Sequence, residues 1–473
     1  MRRFALALLL VAAMVVDASA NGRPPATSTL HFQQGHEQNI IAGMTFGAMV
    51  SHDGGLTWHW TCEKAIGYGG LYDPRYEYTS SGAIFATTFT GLKVNRDGCT
   101  YTSAPQGTTF VSTIALGPTG TVYAAAADPA DVSICKSTDD GMTFPTCANP
   151  GKIDDSWSSM VVSPSDPMRV YVSGFRFVKV CNAASTNAGM TCTQSTQCLG
   201  TGAMCETQKV LLFFKSIDGG TTYTPLPTTG LTYVTSSIVT FYADPNTANT
   251  LYARVTLELN NQGDGVFKSI NAGASWTKID EKVEGISFVA RKNGDLVVAT
   301  QASGAEVSHN GGTSWTPLAS PPHVNCLYEN AAQEVWACTQ NYGMPGVDSD
   351  GYGIMKTTDL ATWTGVLKFQ DIKGPIACAA GTTQADECVG SSMGMPSVWC
   401  CLEDQLGITS TELPDCTMPP LKCQAPDGPP ADGSTTTMVK PPKGCCNTGD
   451  GASGALVLSL GIGVMLMRRR RDP

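Results

Sequence analysis

Five carboxylates outside any repeat, Asp73, Asp244, Asp295, Glu258 and Glu329, are the groups of this chain that could carry acid–base chemistry. Two such groups facing each other across a cleft can cleave a glycosidic bond. Nothing in the sequence brings any two of them together, and Asp244, in ADPNTAN, reads as a turn initiator. Six arginines, Arg75, Arg96, Arg169, Arg176, Arg254 and Arg291, are the candidates for a bidentate grip on an anion. The six histidines (His31, His36, His52, His59, His309 and His323) accompany no nucleophile elbow, which leaves no case for a Ser-His-Asp hydrolase. The segment DSDGYGIMKTTD, 348–359, imitates a calcium loop with Asp at its first, third and last positions, but Tyr352 is a poor ligand at the fifth. NQGDGVFKSIN stands in an equivalent place without the ligand set, so both read as Gly-rich hairpins. No metal and no cofactor is expected.

The 18 cysteines carry more information. Together with an export signal at the N-terminus, they argue for an oxidising compartment and disulfides. Cys135 and Cys147 flank one repeat turn, and Cys326 and Cys338 flank the AAQ turn, so each pair suits a bridge across a hairpin. Cys181, Cys192, Cys198 and Cys205 cluster in a stretch with almost no apolar content, where two local bridges would replace a core. The same cluster lacks a CxxC pair, which disfavours zinc.

What must position these groups is a repeat. Seven segments read SHDGGLTW, NRDGCTY, STDDGMTF, SIDGGTTY, SINAGASW, SHNGGTSW and TTDLATW, with the key Asp or Asn at Asp53, Asp97, Asp139, Asp218, Asn271, Asn310 and Asp359. Asp or Asn accepts bonds from turn backbone, Gly supplies a positive φ, and the closing aromatic anchors the turn. Intervals of 39 to 53 residues suit four-stranded blades, and the one of 79 contains the Cys-rich stretch at about 180–209, read as an insertion. Short runs such as FVSTIAL, TVYAAAA and VSICKS, separated by GPTG and ADPADV, supply three strands before each turn and one after it. The motif resembles the Asp-box (BNR-type) repeat of β-propellers. The expected fold is all-β, a seven-bladed propeller over about 28–375 with a disulfide-rich insertion and a Cys-rich C-terminal extension at 376–423. Trp58, Trp276, Trp315 and Trp363 are then turn anchors rather than sugar platforms, Arg96 points outward, and His52 and His309 face solvent.

The ends of the chain bear on its location. Arg2 and Arg3, the apolar run FALALLLVAAMVV and Ala18-Ser19-Ala20 read as a secretory signal over 1–20. After a Pro/Ser/Thr/Gly linker at 424–444 come Cys445 and Cys446, a small spacer, a short apolar segment and four arginines. That order, at 445–473, resembles the MYXO-CTERM sorting tag of myxobacterial and related proteins. The resemblance implies cleavage by a membrane protease and display on a bacterial cell surface or outer membrane, one cysteine keeping a lipid. A permanent single-pass anchor is the alternative.

A net charge of −10 makes nucleic acid an unsuitable partner. Among Asp-box families, sialidases need three converging arginines and usually carry a Phe/Tyr-Arg-Ile-Pro motif, which does not occur here. Other members are binding modules, so the box selects no ligand. The expected function is a non-enzymatic binding or scaffold propeller meeting an extracellular protein or glycan, with its membrane contact through the tag. The alternative is a glycoside hydrolase of extracellular polysaccharide.

Overall fold

The computed structural model describes residues 24–408, apart from 70–71, 106–108, 129–130, 232–237, 257–262, 283, 303, 345 and 391–396. Glu258, Cys416, Cys423, Cys445, Cys446, the signal, the linker and the tag lie outside the described residues. Seven four-stranded antiparallel meanders form a seven-bladed β-propeller, with blades at 27–61, 76–103, 111–148, 156–225, 238–282, 286–317 and 326–367. Each blade comes from one continuous stretch, and its strands A to D run in sequence order from the channel outward.

The pattern of burial explains which runs became which strand. Strand B is covered by neighbouring blades on both faces, so Ile40–Met44, Ile84–Thr88, Val122–Ala126 and Leu296–Thr300 are buried at every residue. Strand D lies at the rim and is short and exposed, as in Thr146–Ala148 and Thr316–Pro317. Antiparallel order puts the A–B and C–D turns at one end of the ring, the turn end. The B–C and D–A connections lie at the other, the loop end.

All seven repeat turns sit between strands C and D. In the first, Ser51 Oγ accepts from the Gly55 N–H at 2.9 Å, and Asp53 accepts from the N–H groups of Leu56 (3.0 Å) and Thr57 (2.9 Å) and from the Thr57 hydroxyl (2.6 Å). Where Asn replaces Asp, Ser replaces Thr: the Asn271 and Asn310 amides donate to Ser275 and Ser314 at 2.9 and 2.8 Å. The hydroxyl that donates to a carboxylate accepts from an amide. The second glycine is required by approach as well as by φ: a Cβ on Gly55 would lie 2.6 Å from Val366, and one on Gly220 2.6 Å from Tyr123, both on the preceding blade. Asp140, Ala272 and Leu360 take a positive φ without being glycine. The Trp58 and Trp276 rings are buried in interblade clusters, and Trp315 donates to the Ile279 carbonyl of the preceding blade at 2.8 Å. Trp363 packs in the same manner.

Blades 1 and 7 meet through Phe32, stacked on Tyr328 at 4.8 Å and edge-on to Trp336 at 5.1 Å. The extension after blade 7 then clasps this seam. Gly374–Pro375 pairs in parallel with His59 and Trp60 as a fifth strand of blade 1. The Gln384 amide continues the edge, donating to the Trp60 carbonyl and accepting from the Cys62 N–H, both at 3.0 Å. Disulfides Cys62–Cys388 and Cys99–Cys378 fasten it to blades 1 and 2. The helix Val398–Leu406 lays Trp399 against Trp60, and Tyr342 of blade 7 donates to the Leu406 carbonyl at 2.7 Å.

Four more bridges are local. Cys135–Cys147 and Cys326–Cys338 join directly opposed residues of neighbouring strands, and Cys181–Cys198 and Cys192–Cys205 staple the insertion. The insertion is smaller than its composition suggests. Strands Asp166–Cys181 and Cys205–Ser216 stay paired as far as Cys181 and Cys205, so 205–209 belong to the hairpin arm. Glu206 and Thr207 on that arm face solvent beyond the ring, a polar run that reads as loop.

Candidate binding site at the channel mouth

At the loop end, side chains from several blades converge on the central channel. Thr87, fully buried in blade 2, is the anchor: its Oγ1 accepts from the Arg75 N–H at 2.9 Å and bonds the Tyr72 hydroxyl at 2.6 Å. Arg75, just ahead of strand A, then reaches across the channel, its Nη2 donating to the Ser158 carbonyl of blade 4 at 2.8 Å. The guanidinium is open to the channel but ringed by protein, and burial lowers its pKa, Tyr72 and Tyr242 opposing that. Arg254 of blade 5 stands close enough to repel it. Arg254 donates to the Ile286 carbonyl and lies 3.7 Å from Asp264. Asp264 in turn accepts from the Ile286 N–H at 2.7 Å.

Two neutralised groups complete the channel. Burial pushes the Glu77 carboxyl up to about 8 against the pull of Arg75, so at neutral pH it is mostly protonated. Burial, with Arg75 nearby, holds the His31 imidazole down to about 4, and its Nε2 has no hydrogen-bond partner among the described residues. Among the described residues, the hydrogen bond of the guanidinium is to the Ser158 carbonyl and not to a carboxylate. Beside it lies an aromatic shelf. Tyr72 and Phe89 stand 4.5 Å apart, Phe89 and Phe110 5.1 Å, and Phe89 is 47% exposed. A cation next to exposed ring faces can bind a ligand that joins a carboxylate to an apolar or sugar ring.

Three of the candidate carboxylates lie away from this site. Asp244, Asp295 and Glu329 lie at the turn end. Asp244 accepts from the Asn246 and Thr247 N–H groups, each at 2.9 Å, and so closes a turn. Glu329 binds Arg291 at 2.8 Å and Asp295 stands 3.8 Å from the same guanidinium, an ion pair between blades 6 and 7. Asp73 borders the channel mouth, in the blade 1–2 connection that carries Tyr72 and Arg75, near Tyr72 and Tyr76. Arg169 pairs with Asp166 at 2.8 Å, and Arg176 grips Asp155 in bidentate fashion at 2.5 and 2.7 Å. The expectation for Arg96 needs correction. It does not point outward but reaches the next blade's repeat turn, donating to the Asp140 carboxylate at 2.9 Å and carbonyl at 2.5 Å.

His309 is exposed and paired with Asp295 at 2.7 Å, while His52 bonds Asn39 at 2.9 Å. In the calcium-like segment, strand Ile354–Thr357 separates Asp350, at the loop end, from Asp359, at the turn end. Asp350 is occupied by His323 Nδ1 and the Gln340 N–H, each at 2.9 Å. The sulfurs of Cys181, Cys192 and Cys198 lie close together because each is already in a disulfide.

The fold and site together define a seven-bladed propeller with a cationic, aromatic channel mouth. No protein-family model matches the chain, and no curated protein does. Among solved structures it is similar to the extracellular domain of a putative one-component system from B. thetaiotaomicron (12% identity, TM-score 0.44), covering 72% of this chain and 39% of that one. It is also similar to a GH74 enzyme of Niastella koreensis (17%, TM-score 0.37; 73% and 66% covered) and to YCF48 from Cyanidioschyzon merolae (13%, TM-score 0.42; 66% and 92%). The chain thus spans less than half of the first and about two thirds of the second. At these identities and TM-scores the likenesses carry no argument about this chain.

Proposed function

We propose that this chain is a non-catalytic binding propeller of the Asp-box (BNR-type) kind, exported and held at the bacterial surface by a processed MYXO-CTERM-like tail. The observation that carries the binding reading is the channel mouth, where Arg75 is held by Thr87 and Ser158 beside the exposed ring of Phe89. Of the two partner classes, an extracellular glycan bearing carboxylates suits it best: its acid group meets Arg75 while its rings lie on Tyr72, Phe89 and Phe110. The hydrolase reading loses support from Asp244, Asp295 and Glu329, each engaged at the far end of the ring.

Incubation of the purified protein with neutral and acidic polysaccharides, followed by assay of new reducing ends, separates the two readings. The binding account expects none; release from any of these glycans would restore the hydrolase. Disulfides fastening the knob and the extension support export.

A further inference from the structure

A second cavity, of about 760 Å³, lies at the turn end between the outer strand of blade 1, the repeat turn of blade 2 and the clasp. It is of a size suited to a small organic ligand. Tyr78, Tyr101 and Ile376 give it apolar and aromatic surface, and His59, Lys373 and Arg96 line it with cationic or protonatable groups. Burial raises the pKa of both phenols, so these rings stay neutral.

Formal charges around it balance, but the acidic groups are engaged away from Lys373. Asp97, the carboxylate in its lining, is turned into its own loop, accepting from the Cys99 N–H at 2.8 Å and the Thr100 N–H at 2.7 Å. Nearby, Asp140 is bound to Arg96 and Glu387 to Lys64. The Lys373 ammonium and the His59 imidazole have no hydrogen bond or ion pair among the described residues. Both are held in register by the clasp: Gly374 pairs with His59, and the Lys373 N–H donates to the Trp58 carbonyl at 3.0 Å. The cavity has its walls because Cys99–Cys378 fixes the clasp over the turn of blade 2.

The geometry points to a binding site for a small ring carboxylate, with Lys373 and His59 meeting the acid group and Tyr78, Tyr101 and Ile376 receiving the ring. It is separate from the channel mouth, lies at the other end of the molecule and does not depend on the glycan reading. An unpaired ammonium beside apolar surface favours an amphipathic anion over its neutral or cationic analogues.

The test uses the full chain carrying Arg75→Ala, so that the channel-mouth cation does not hold the probe, and 2-naphthoate, whose fluorescence reports binding, with 2-naphthalenemethanol as the neutral analogue. The carboxylate is expected to bind at one site per chain. It should weaken about tenfold or more in Lys373→Met, the loss of one charge-assisted bond, and to a smaller degree in His59→Gln. Ala377→Trp, which fills the cleft from the exposed clasp, should abolish binding without needing a change of charge. Equal binding of the alcohol, unchanged affinity on adding Lys373→Met, binding that survives Ala377→Trp, or no binding at all once Arg75 is replaced would each overturn the assignment.

Discussion

Replacing the Cys62–Cys388 bridge by two alanines tests whether the clasp closes the ring. The two residues are 326 apart, but with Cys99–Cys378 intact, at a separation of 279, the added bridge closes only the difference, about 47 residues. Chain entropy for a loop of that length is worth about 4 kcal/mol at 25 °C, against about 3 kcal/mol for a bridge such as Cys135–Cys147, whose separation is 12. The entropy terms alone thus differ little. Loss of the clasp has a further structural consequence: Trp399, Leu402 and Leu406 are buried against blade 1, and opening exposes the blade 1–7 seam. Guanidinium unfolding of Cys62→Ala/Cys388→Ala, compared with Cys135→Ala/Cys147→Ala, supplies the measurement, with limited proteolysis at 373–390 as the structural readout. The clasp variant should lose about 3–5 kcal/mol and become cleavable in that segment under native conditions. A loss under about 1 kcal/mol with the segment still protected would refute the idea that the bridge, rather than blade packing, holds the seam.

Asp218→Ala removes the acceptor for the Thr221 and Thr222 N–H groups and the Thr222 hydroxyl. It should cost about 1–3 kcal/mol in denaturant unfolding and leave ligand binding intact; an unchanged midpoint with lost binding would make that turn a site. The Thr222 hydroxyl, the Thr222 N–H and Ser216 hold the Asp218 carboxyl down to about 2. A depressed carboxylate stabilises the fold above its unfolded pKa and loses that contribution as pH falls toward 2, so the penalty of Asp218→Ala should shrink across that acid range. Glu77 has the opposite sign. Its carboxyl is raised to about 8, so its cost to the fold grows from about pH 4.5 upward and is complete above about 8. Glu77→Gln should therefore raise the thermal midpoint relative to wild type more at pH 8 than at pH 5, and an equal difference at both would show that burial does not raise this carboxyl. For the tail, mass spectrometry of the surface protein should find a C-terminus at Cys445 or Cys446 with a lipid mass; an intact arginine cluster would leave the permanent anchor as the correct reading.

The seven-bladed architecture was legible because its determinants are local. Ser51, Asp53, Gly55, Thr57 and Trp58 lie within eight residues, and each acts inside one turn or against one neighbouring blade. The channel mouth was not legible. Tyr72 lies three residues from Arg75, but Phe89, Phe110, Ser158 and Arg254 come from other connections and strands, which only the folded ring brings to Arg75. Thr87, which fixes both Tyr72 and Arg75, looks in sequence like one more strand threonine. The partners of Cys62 and Cys99 were hidden for a related reason: they lie hundreds of residues away in the extension. A signal was nonetheless present, since local pairing of the other eight propeller cysteines leaves these two over. Arg96 was misjudged because its turn was considered alone, whereas its partner is the turn of the next blade.

Retention of the protein on a carboxylated polysaccharide is the most direct test of the binding account. Wild type and Arg75→Ala would be titrated against soluble polygalacturonate, with dextran as the neutral control. The account predicts saturable binding of the wild type to polygalacturonate, no binding to dextran, and a loss of about tenfold or more in Arg75→Ala at unchanged thermal stability. Equal affinity of wild type and Arg75→Ala for polygalacturonate, or equal retention on dextran, would contradict it.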